Sequence, residues 1–337
     1  MKEYFTLQWH VTEKCDQRCK HCYIYNGREK AYNELSIDKL KLVVDDFIDT
    51  CNKMNKKPMI SVTGGDPLLY DDIWEFFEYL YKNSIKFSIL GNPFHINGKV
   101  VKKLKELGCY NYQMSIDGLR VTHDYIRKPG SFDETLLKIK DLNNGGIYST
   151  IMTTVSKLNI NEIPDLIPIM VNAGVKNFGF ARYCPNPDDI DSSVTPEEYK
   201  QFLEKMWNMY EKYQNCGTRF SLKDHLWKLF LFEKGKFSID YKDDIIYDGC
   251  HCGITHMTIL SDGTVYACRR CESPVGKVPE ESIYDIFFSK KMDRYRQFNN
   301  FEKCSQCELL RFCRGCPAVS QCTTGNFYAA DPQCWKK

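Results

Sequence analysis

Cysteine is the residue of this sequence best suited to chemistry, and its positions are clustered. Of 17 cysteines, three lie in residues 15–22 and ten in residues 250–334. The N-terminal residues lack the charged and then apolar layout of a signal peptide, so we expect a reducing, cytoplasmic environment. In such an environment clustered thiols bind metals more often than they form disulfides.

The first group has the spacing C-x3-C-x2-C, formed by Cys15, Cys19 and Cys22. Three thiolates on one short loop can hold three irons of a [4Fe–4S] cube and leave the fourth iron open. Zinc takes four ligands, usually as two close pairs, and fits the triplet less well. The spacing favours an iron–sulfur loop, with a zinc site or three unrelated cysteines as the alternatives.

An alternation of strand and helix patterns surrounds this loop and must position it. Strands are predicted at 5–11, 59–63, 86–90, 110–116, 147–155 and 175–181, and helices at 37–54, 72–83, 98–108, 133–146 and 162–174. Ser36 is the expected N-cap of the first helix, and Gly108 is expected to close the third. Helical crossovers imply parallel strands, so we predict an α/β fold with a partial (β/α)6 barrel, whose ligands lie at the carboxyl ends of the strands.

Further motifs stand at those strand ends in a recognisable order. Residues 63–67, Thr-Gly-Gly-Asp-Pro, end the second strand, and residues 115–118, Ser-Ile-Asp-Gly, end the fourth. With the cysteine triplet they resemble the radical S-adenosylmethionine (radical SAM) superfamily, in which the usual residue at Asp66 is Glu. The resemblance assigns the cofactor contacts to His21, Gly64, Gly65, Asp66, Pro67, Asn92, Ser115, Asp117 and Arg127.

The resemblance also implies a reaction. S-adenosylmethionine would chelate the open iron, and one-electron reduction would split its sulfonium group. The resulting 5′-deoxyadenosyl radical would remove hydrogen from an unactivated C–H bond. The cluster supplies the chemistry, and the barrel positions the substrate.

The distal cysteines form a second recognisable set, which resembles the SPASM domain and its two auxiliary [4Fe–4S] clusters. The resemblance assigns auxiliary cluster I to Cys250, Cys252, Cys268 and Cys316, with Cys271 as the alternate. It assigns auxiliary cluster II to Cys304, Cys307, Cys313 and Cys334, with Cys322 as a spare or alternate. The central run ends with x2 between Cys313 and Cys316, where x3 is usual. A zinc-ribbon tail or a single auxiliary cluster remains the alternative.

These assignments divide the chain into three predicted parts. They are a radical SAM barrel at 1–183, a helical bridge at 184–245 with a helix at 197–214, and the SPASM domain at 246–337. Cys184, just past the sixth strand, is a candidate catalytic hydrogen donor or substrate contact. Cys51, Cys109 and Cys216 are interpreted as small buried hydrophobes.

One residue differs from the pattern of the sulfatase-maturing relatives, and this difference bears on the reaction that we expect. Sulfatase-maturing relatives carry an Asp, thought to be a base, where this chain has Arg269. We therefore expect maturation of a ribosomally made peptide, in the first place an oxidative thioether or C–C crosslink. Epimerisation, with Cys184 or Cys322 as donor, and sulfatase-maturase-like dehydrogenation are alternatives, as is a non-catalytic iron–sulfur partner that transfers electrons or binds peptide.

The expected partners follow from the same reasoning. They are a precursor peptide that can contain Cys, a reductase such as flavodoxin or ferredoxin, and a separate leader-binding protein, because the first strand begins at about residue 5. The net charge of +2 gives no reason to expect nucleic acid. No apolar stretch reaches the roughly 20 residues that a membrane span needs.

Overall fold

The computed structural model describes residues 3–24, 33–185, 194–240 and 245–336. It divides into two compact units. Unit 1 comprises residues 1–115, 124–150 and 252–296, and unit 2 comprises residues 116–123, 151–251 and 297–337. Within the described residues no helix is long and apolar enough to cross a lipid bilayer.

The strands are β1 Tyr4–Thr12, β2 Lys57–Gly64, β3 Phe87–Leu90, β4 Cys109–Ser115, β5 Tyr148–Val155, β6 Asn177–Arg182, β7 Arg219–Phe220, β8 His256–Ile259, β9 Thr264–Tyr266 and β10 Pro274–Lys277. The helices are α1 Ile37–Lys53, α2 Ile73–Lys82, α3 Gly98–Glu106, α4 Arg120–Ile126, α5 Ser131–Asn144, α6 Ile163–Asn172, α7 Pro196–Lys212, α8 Leu226–Glu233, α9 Ile283–Phe287, α10 Lys290–Asp293 and α11 Pro317–Thr324. All six predicted strands and all six predicted helices are present, with each end within two residues of its predicted position.

The strands of unit 1 are hydrogen-bonded in the order β10-β9-β8-β1-β2-β3-β4. Neighbouring strands are parallel along the series β8, β1, β2, β3 and β4. Strand β9 is antiparallel to both of its neighbours, β8 and β10. The parallel pairing of β1, β2, β3 and β4 is the arrangement expected from their helical crossovers. In unit 2, β6 pairs with β7 in parallel.

The two faces of β1 differ in chemistry. Phe5 packs against Phe47 of α1 and Phe287 of α9, and Trp9 packs edge-on against Phe76 of α2. Side chains alternate along a strand, so the odd-numbered residues of β1 face the helices and the even-numbered ones face the other side of the sheet. The apolar core of unit 1 therefore lies between the sheet and its helices.

Local sequence signals explain most helix boundaries. The Ser36 hydroxyl accepts from the Lys39 N–H, which confirms the predicted N-cap of α1. Gly108 has φ 91° just after α3, as its expected closing role requires. The sequence analysis did not predict α4, because its seven residues show too little apolar periodicity to distinguish it from a loop.

Unit 2 is built around one aromatic group. Trp227 of α8 lies within 6.2 Å, centroid to centroid, of Phe180, Trp207, Tyr210 and Phe230. Helix α7, predicted at 197–214, begins with a capping box. Four of these five rings are buried and Trp207 is half-buried, so the group gives this unit its own apolar core.

The stacked pair Phe77 and Phe87 gives a first test of the core of unit 1. Both rings are fully buried, 4.4 Å apart and nearly parallel, whereas Phe288 is 52% exposed. We expect Phe87→Ala to lower the free energy of unfolding by about 3–5 kcal/mol, because it removes a buried ring and leaves a cavity. Urea denaturation should show a clearly smaller loss for Phe288→Ala, and equal losses would contradict this packing.

Candidate functional site

The three cysteines of the loop that follows β1 each make a hydrogen bond within that loop. The Gln17 N–H donates to the Cys15 Sγ at 3.5 Å, and the Cys19 thiol contacts the Gln17 Oε1 at 3.5 Å. The Cys22 N–H donates to the Cys19 carbonyl at 3.0 Å. All three thiols are half-buried. The structure therefore keeps the predicted triplet together on one short, ordered turn.

The electrostatics of Cys15 fit a cation rather than a free thiolate. Burial, with smaller contributions from Asp66 and Cys19, raises the pKa of its thiol to about 12, although the Gln17 N–H lowers it. Without positive charge this thiol stays protonated at neutral pH. Iron ligation would supply that charge and release the proton. The thiols of Cys15, Cys19 and Cys22 together are the donor set of a [4Fe–4S] cluster with one open iron.

Arg127 lies against this loop. Its Nη1 is 3.7 Å from the Cys19 Sγ, and its Nη2 is 3.4 Å from the His21 Nε2. The Lys20 N–H donates to the Ile126 carbonyl at 2.9 Å, which ties the end of α4 to the loop. Two predicted cofactor contacts, His21 and Arg127, are thus brought together beside a cluster ligand.

Gly64 and Gly65 hold the end of β2 against the start of the loop. The Gly65 N–H donates to the Thr12 carbonyl at 2.8 Å, and the Asp66 N–H to the Lys14 carbonyl at 2.7 Å. Gly64 has φ 146°, and a Cβ on either glycine would collide with the carbonyl oxygen of Thr12 or Lys14. The glycines permit the close backbone approach that the sequence predicted.

Asp66 and Asn92 meet beside the loop. The Asp66 carboxylate accepts from the N–H groups of Leu68, at 3.0 Å, and Asn92, at 3.3 Å. The Asn92 amide donates to Asp16 at 2.7 Å and lies 4.0 Å from the Cys15 Sγ. Burial raises the pKa of Asp66 to about 6, although the Leu68 N–H lowers it. Pro67 is buried and opens the short 3-10 turn Pro67–Leu69.

Sequence reasoning missed two residues here. Carboxylate oxygens of Asp16 and Asp66 and a ring nitrogen of His95 lie within 4.8 Å of one another. Asp16 stands between two cysteine ligands in sequence, and His95 is three residues past Asn92. The position of His95 just after the third strand could have marked it as a site residue, as it did for Asn92.

Two further predicted contacts lie at the end of β4. Ser115 is its last residue and belongs to unit 1. Asp117 belongs to unit 2, where its Oδ1 accepts from the Thr154 N–H at 2.7 Å and its carbonyl accepts from the Asn159 amide at 2.9 Å. The visible contacts of Asp117 hold the β4–α4 turn to the end of β5, so a cofactor contact stays a prediction.

The face of the sheet away from the helices carries a polar row in unit 1. Register places Thr258, Gln8, Ser61, Ser88 and Asn111 side by side on β8, β1, β2, β3 and β4. The Ser88 hydroxyl donates to Ser61 at 2.9 Å, and Gln8 is only 7% exposed. Barrel interiors are usually filled by bulky branched side chains. This row instead suits a space that receives a polar ligand.

The distal cysteines separate into two groups. In unit 1 the Cys268 thiol forms sulfur–sulfur hydrogen bonds with Cys252 and Cys271, which lower its pKa well below the ordinary value. In unit 2 Cys304 lies in the electrostatic field of Cys334 and Cys307. Burial raises the pKa of Cys304 to about 12, so this group too needs a cation to ionise.

The second group is completed by Cys313, which interacts with Cys304 and Cys334. The four residues predicted for auxiliary cluster II therefore lie near one another in one unit, and four thiols are the number of donors that such a cluster needs. Cys250 and Cys316, predicted for cluster I, belong to unit 2, as do Cys184 and Cys322. The contacts of Cys268 bring Cys271, the predicted alternate, into the first group.

Comparisons with known proteins agree with this geometry. Residues 9–167 match the radical SAM superfamily, and residues 250–308 match the SPASM iron–sulfur cluster-binding domain. The chain carries a radical SAM domain followed by a SPASM domain. The matching α/β fold confirms the predicted partial barrel with a C-terminal SPASM domain.

Three proteins show what this chain is similar to. The AdoMet-dependent heme synthase of Oleidesulfovibrio alaskensis is 26% identical over 97% of this chain and 86% of that protein. The cysteine-type anaerobic sulfatase-maturating enzyme of Clostridium novyi is 26% identical over 94% and 88%. The structure of Streptococcus suis SuiB bound to the precursor peptide SuiA superposes with a TM-score of 0.77 at 19% identity, covering 99% of this chain and 76% of that one.

The backbone contact of the glycine motif predicts a strong effect of one methyl group. Gly64→Ala should lower the free energy of unfolding by at least about 2–3 kcal/mol, because its Cβ meets backbone and its φ is strained. Gly98, the first residue of α3, has no atom within 4 Å of its Cβ position. Gly98→Ala should be neutral or slightly stabilising in the same denaturation experiment. A harmless Gly64→Ala would contradict the close approach.

The contacts of Cys268 predict a role for Cys271. If Cys271 is a cluster I ligand, Cys271→Ala should lower the iron of the anaerobically reconstituted protein by up to about four atoms per chain. Cys51 is buried within α1, and Cys51→Ala is the matched control, expected to keep the wild-type iron content. Unchanged iron in Cys271→Ala would return the fourth position to Cys250.

Proposed function

We propose that this chain is a radical SAM enzyme that modifies a ribosomally made peptide, with an oxidative thioether or C–C crosslink as the product. The observation that carries the radical part is the turn that holds Cys15, Cys19 and Cys22 together with Arg127 against it. A [4Fe–4S] cluster held by these cysteines would, with S-adenosylmethionine, supply the one-electron chemistry that removes hydrogen from a substrate.

The chain's own residues bind and orient the cofactor in this proposal. Arg127, a planar donor fork, suits a carboxylate. Gly64 and Gly65 fix the backbone beside the loop, and Asp66 and Asn92 hold the adjacent wall by hydrogen bonds. The polar row on β8, β1, β2, β3 and β4 offers hydrogen bonds to the buried part of a ligand.

Two auxiliary [4Fe–4S] clusters complete the proposal, which makes three clusters per chain. The four neighbouring thiols of Cys304, Cys307, Cys313 and Cys334 support cluster II. The contacts among Cys252, Cys268 and Cys271 support cluster I, with Cys250 and Cys316 as the further proposed ligands. A second redox centre can accept the electron that an oxidative crosslink releases. Flavodoxin or ferredoxin would supply the electron that starts the reaction, and a separate protein would bind the leader.

A small cavity supports a peptide as the substrate. It measures about 260 Å³ in unit 2, and its lining residues include Val155, Tyr183, Val194, Pro196 and Val319. Pockets that enclose whole small molecules are about 300–1,000 Å³. The size and apolar walls therefore suit one side chain of a larger chain. Cys184 lies between two lining residues in sequence and remains the proposed hydrogen donor.

A basic pair favours one second candidate. Arg269 and Arg270 lie between Cys268 and Cys271, and the Arg269 guanidinium is 5.9 Å from the ring centroid of Tyr23, next to Cys22. A fixed positive charge near the cluster loop suits a substrate with carboxylates. Together with the likeness to heme synthases, this makes oxidation of a carboxylate-bearing iron porphyrin the alternative.

The radical reaction is tested first. The reconstituted protein, reduced anaerobically with S-adenosylmethionine, should release 5′-deoxyadenosine, and Cys15→Ala should abolish the release because it removes a cluster ligand. Liquid chromatography with mass spectrometry measures the product. Equal release from both proteins would sink the enzyme proposal.

The two substrate classes are then separated by mass. A short Cys-containing precursor peptide should lose two hydrogens on crosslinking, whereas a porphyrin carboxylic-acid side chain that is oxidatively decarboxylated to an alkene would lose CO2 and two hydrogens. We expect turnover of the peptide alone. Turnover of the porphyrin alone would replace the peptide proposal with the alternative.

A further inference from the structure

The carboxylate of Asp331 is fully buried in unit 2, and it joins two segments that carry cysteines. Asp331 belongs to the stretch Asp-Pro-Gln-Cys at residues 331–334, which sequence analysis singled out only for Cys334. A buried carboxylate is costly unless every oxygen is paired. The hydrogen-bond partners of the two carboxylate oxygens therefore indicate the structural role of Asp331.

One oxygen holds the turn that ends the central cysteine run. The Asp331 Oδ2 accepts from the Cys316 N–H at 2.7 Å. The preceding residue, Gly315, has φ 60°, and a Cβ there would overlap with the Asp331 side chain. This is the turn in which x2 separates Cys313 from Cys316 instead of the usual x3. The shortened turn is thus packed directly onto Asp331.

The other oxygen and the backbone hold Cys334. The Asp331 Oδ1 accepts from the Gln333 N–H at 2.9 Å, and its carbonyl accepts from the Cys334 N–H at 3.0 Å. An Asp that bonds the backbone two residues on forms a local turn. The same residue therefore fixes Cys334 through its own turn and Cys316 through space.

Arg182, the last residue of β6, anchors this arrangement. Its Nη1 donates to the Asp331 Oδ1 at 2.7 Å, and its Nε donates to the Asp224 Oδ2 at 2.9 Å. Burial opposes the charge of Arg182, but Asp224 and Asp331 raise its pKa well above the ordinary value. The other carboxylate oxygen of Asp224 accepts from the Leu226 N–H at 3.0 Å.

We propose that Asp331 is the positioning residue that sets the placement of Cys316 relative to Cys334 within unit 2. The inference rests on the proposed auxiliary clusters, in which Cys316 and Cys334 serve different centres. The Cys316 N–H bonds the Asp331 carboxylate and the Cys334 N–H bonds the Asp331 carbonyl, so neither cysteine can shift without breaking a hydrogen bond to this one buried residue. In Asp331→Asn, the amide nitrogen would face another donor, either the Cys316 N–H or Arg182.

The test uses the full chain, reconstituted anaerobically, with Cys15, Cys19 and Cys22 changed to Ala so that only auxiliary clusters remain. In this background we expect about eight irons per chain. Asp331→Asn should lose up to half of that iron, or keep it with a changed electron paramagnetic resonance spectrum and reduction potential of the reduced clusters. Asp224→Asn is the matched control, because it breaks the same ion-pair group without touching a cysteine turn.

Asp224→Asn should lower the thermal midpoint but keep the wild-type spectrum, potential and iron content. Equal spectroscopic changes in both variants would overturn the proposal, since Asp331 would then be only one half of a structural ion pair. Wild-type iron, spectrum and potential in Asp331→Asn would overturn it as well.

A glycine pair keeps the test decisive if Asp331→Asn does not fold. Gly315 and Gly325 both have left-handed φ, of 60° and 77°, but only Gly315 packs on Asp331, and nothing lies within 4 Å of the Gly325 Cβ position. Gly315→Ala should change the auxiliary spectrum, and Gly325→Ala should not. The same spectrum in both would overturn the proposal.

If the chain binds no auxiliary clusters, the measured iron content is different. About four irons in the otherwise unchanged chain, and none in the triple-Ala background, would remove the auxiliary clusters and this inference together. About eight irons in that background with an unaffected Asp331→Asn would remove only the positioning role.

Discussion

The close backbone contact between Gly64-Gly65 and the segment Thr12–Lys14 is the constraint on which the candidate radical site depends. Two N–H···O=C bonds, of 2.8 and 2.7 Å, join the end of β2 to the chain that enters the cysteine loop. They fix where the loop leaves the sheet, and Arg127 and Asn92 can meet it only there. Any side chain at Gly64 or Gly65 would push the end of β2 away from residues 12–14. The two glycines are therefore required for the position of the cysteine loop, whether or not they also contact a ligand.

The buried thiols add a second constraint. Burial raises the pKa values of Cys15 and Cys304 to about 12, so each holds its proton until a cation arrives. Cluster assembly therefore releases protons and contributes folding free energy, most of all in the C-terminal segments, whose strands and helices are short. The metal centres and the fold are thermodynamically coupled in this region.

Sequence predicted the barrel strands and helices well because their apolar periodicity is strong and caps such as Ser36 mark their starts. It also selected the cysteine triplet, Gly64, Gly65, Asn92 and Arg127 from motifs and from positions at strand ends; the structure places these residues near one another, and their roles as ligands and cofactor contacts stay predictions. It missed α4, which lacks periodicity, and it missed Asp16 and His95, whose convergence depends on three separate loops. The buried group of Arg182, Asp224 and Asp331 was equally invisible, because residues 149 positions apart meet only in the folded chain.

The charges near the cysteine triplet differ from those near the cysteines proposed for auxiliary cluster II. Near the radical site the fixed cations are Arg127, beside Cys19, and Arg269, over Tyr23. In unit 2 the Asp331 carboxylate lies beside the thiols of Cys304, Cys313 and Cys334, and its charge makes each of them harder to ionise. A buried anion beside an iron–sulfur cluster disfavours adding an electron to it. Arg182 offsets part of that charge, so the same ion pair that positions the ligands also moderates the potential of the centre that would accept the substrate electron.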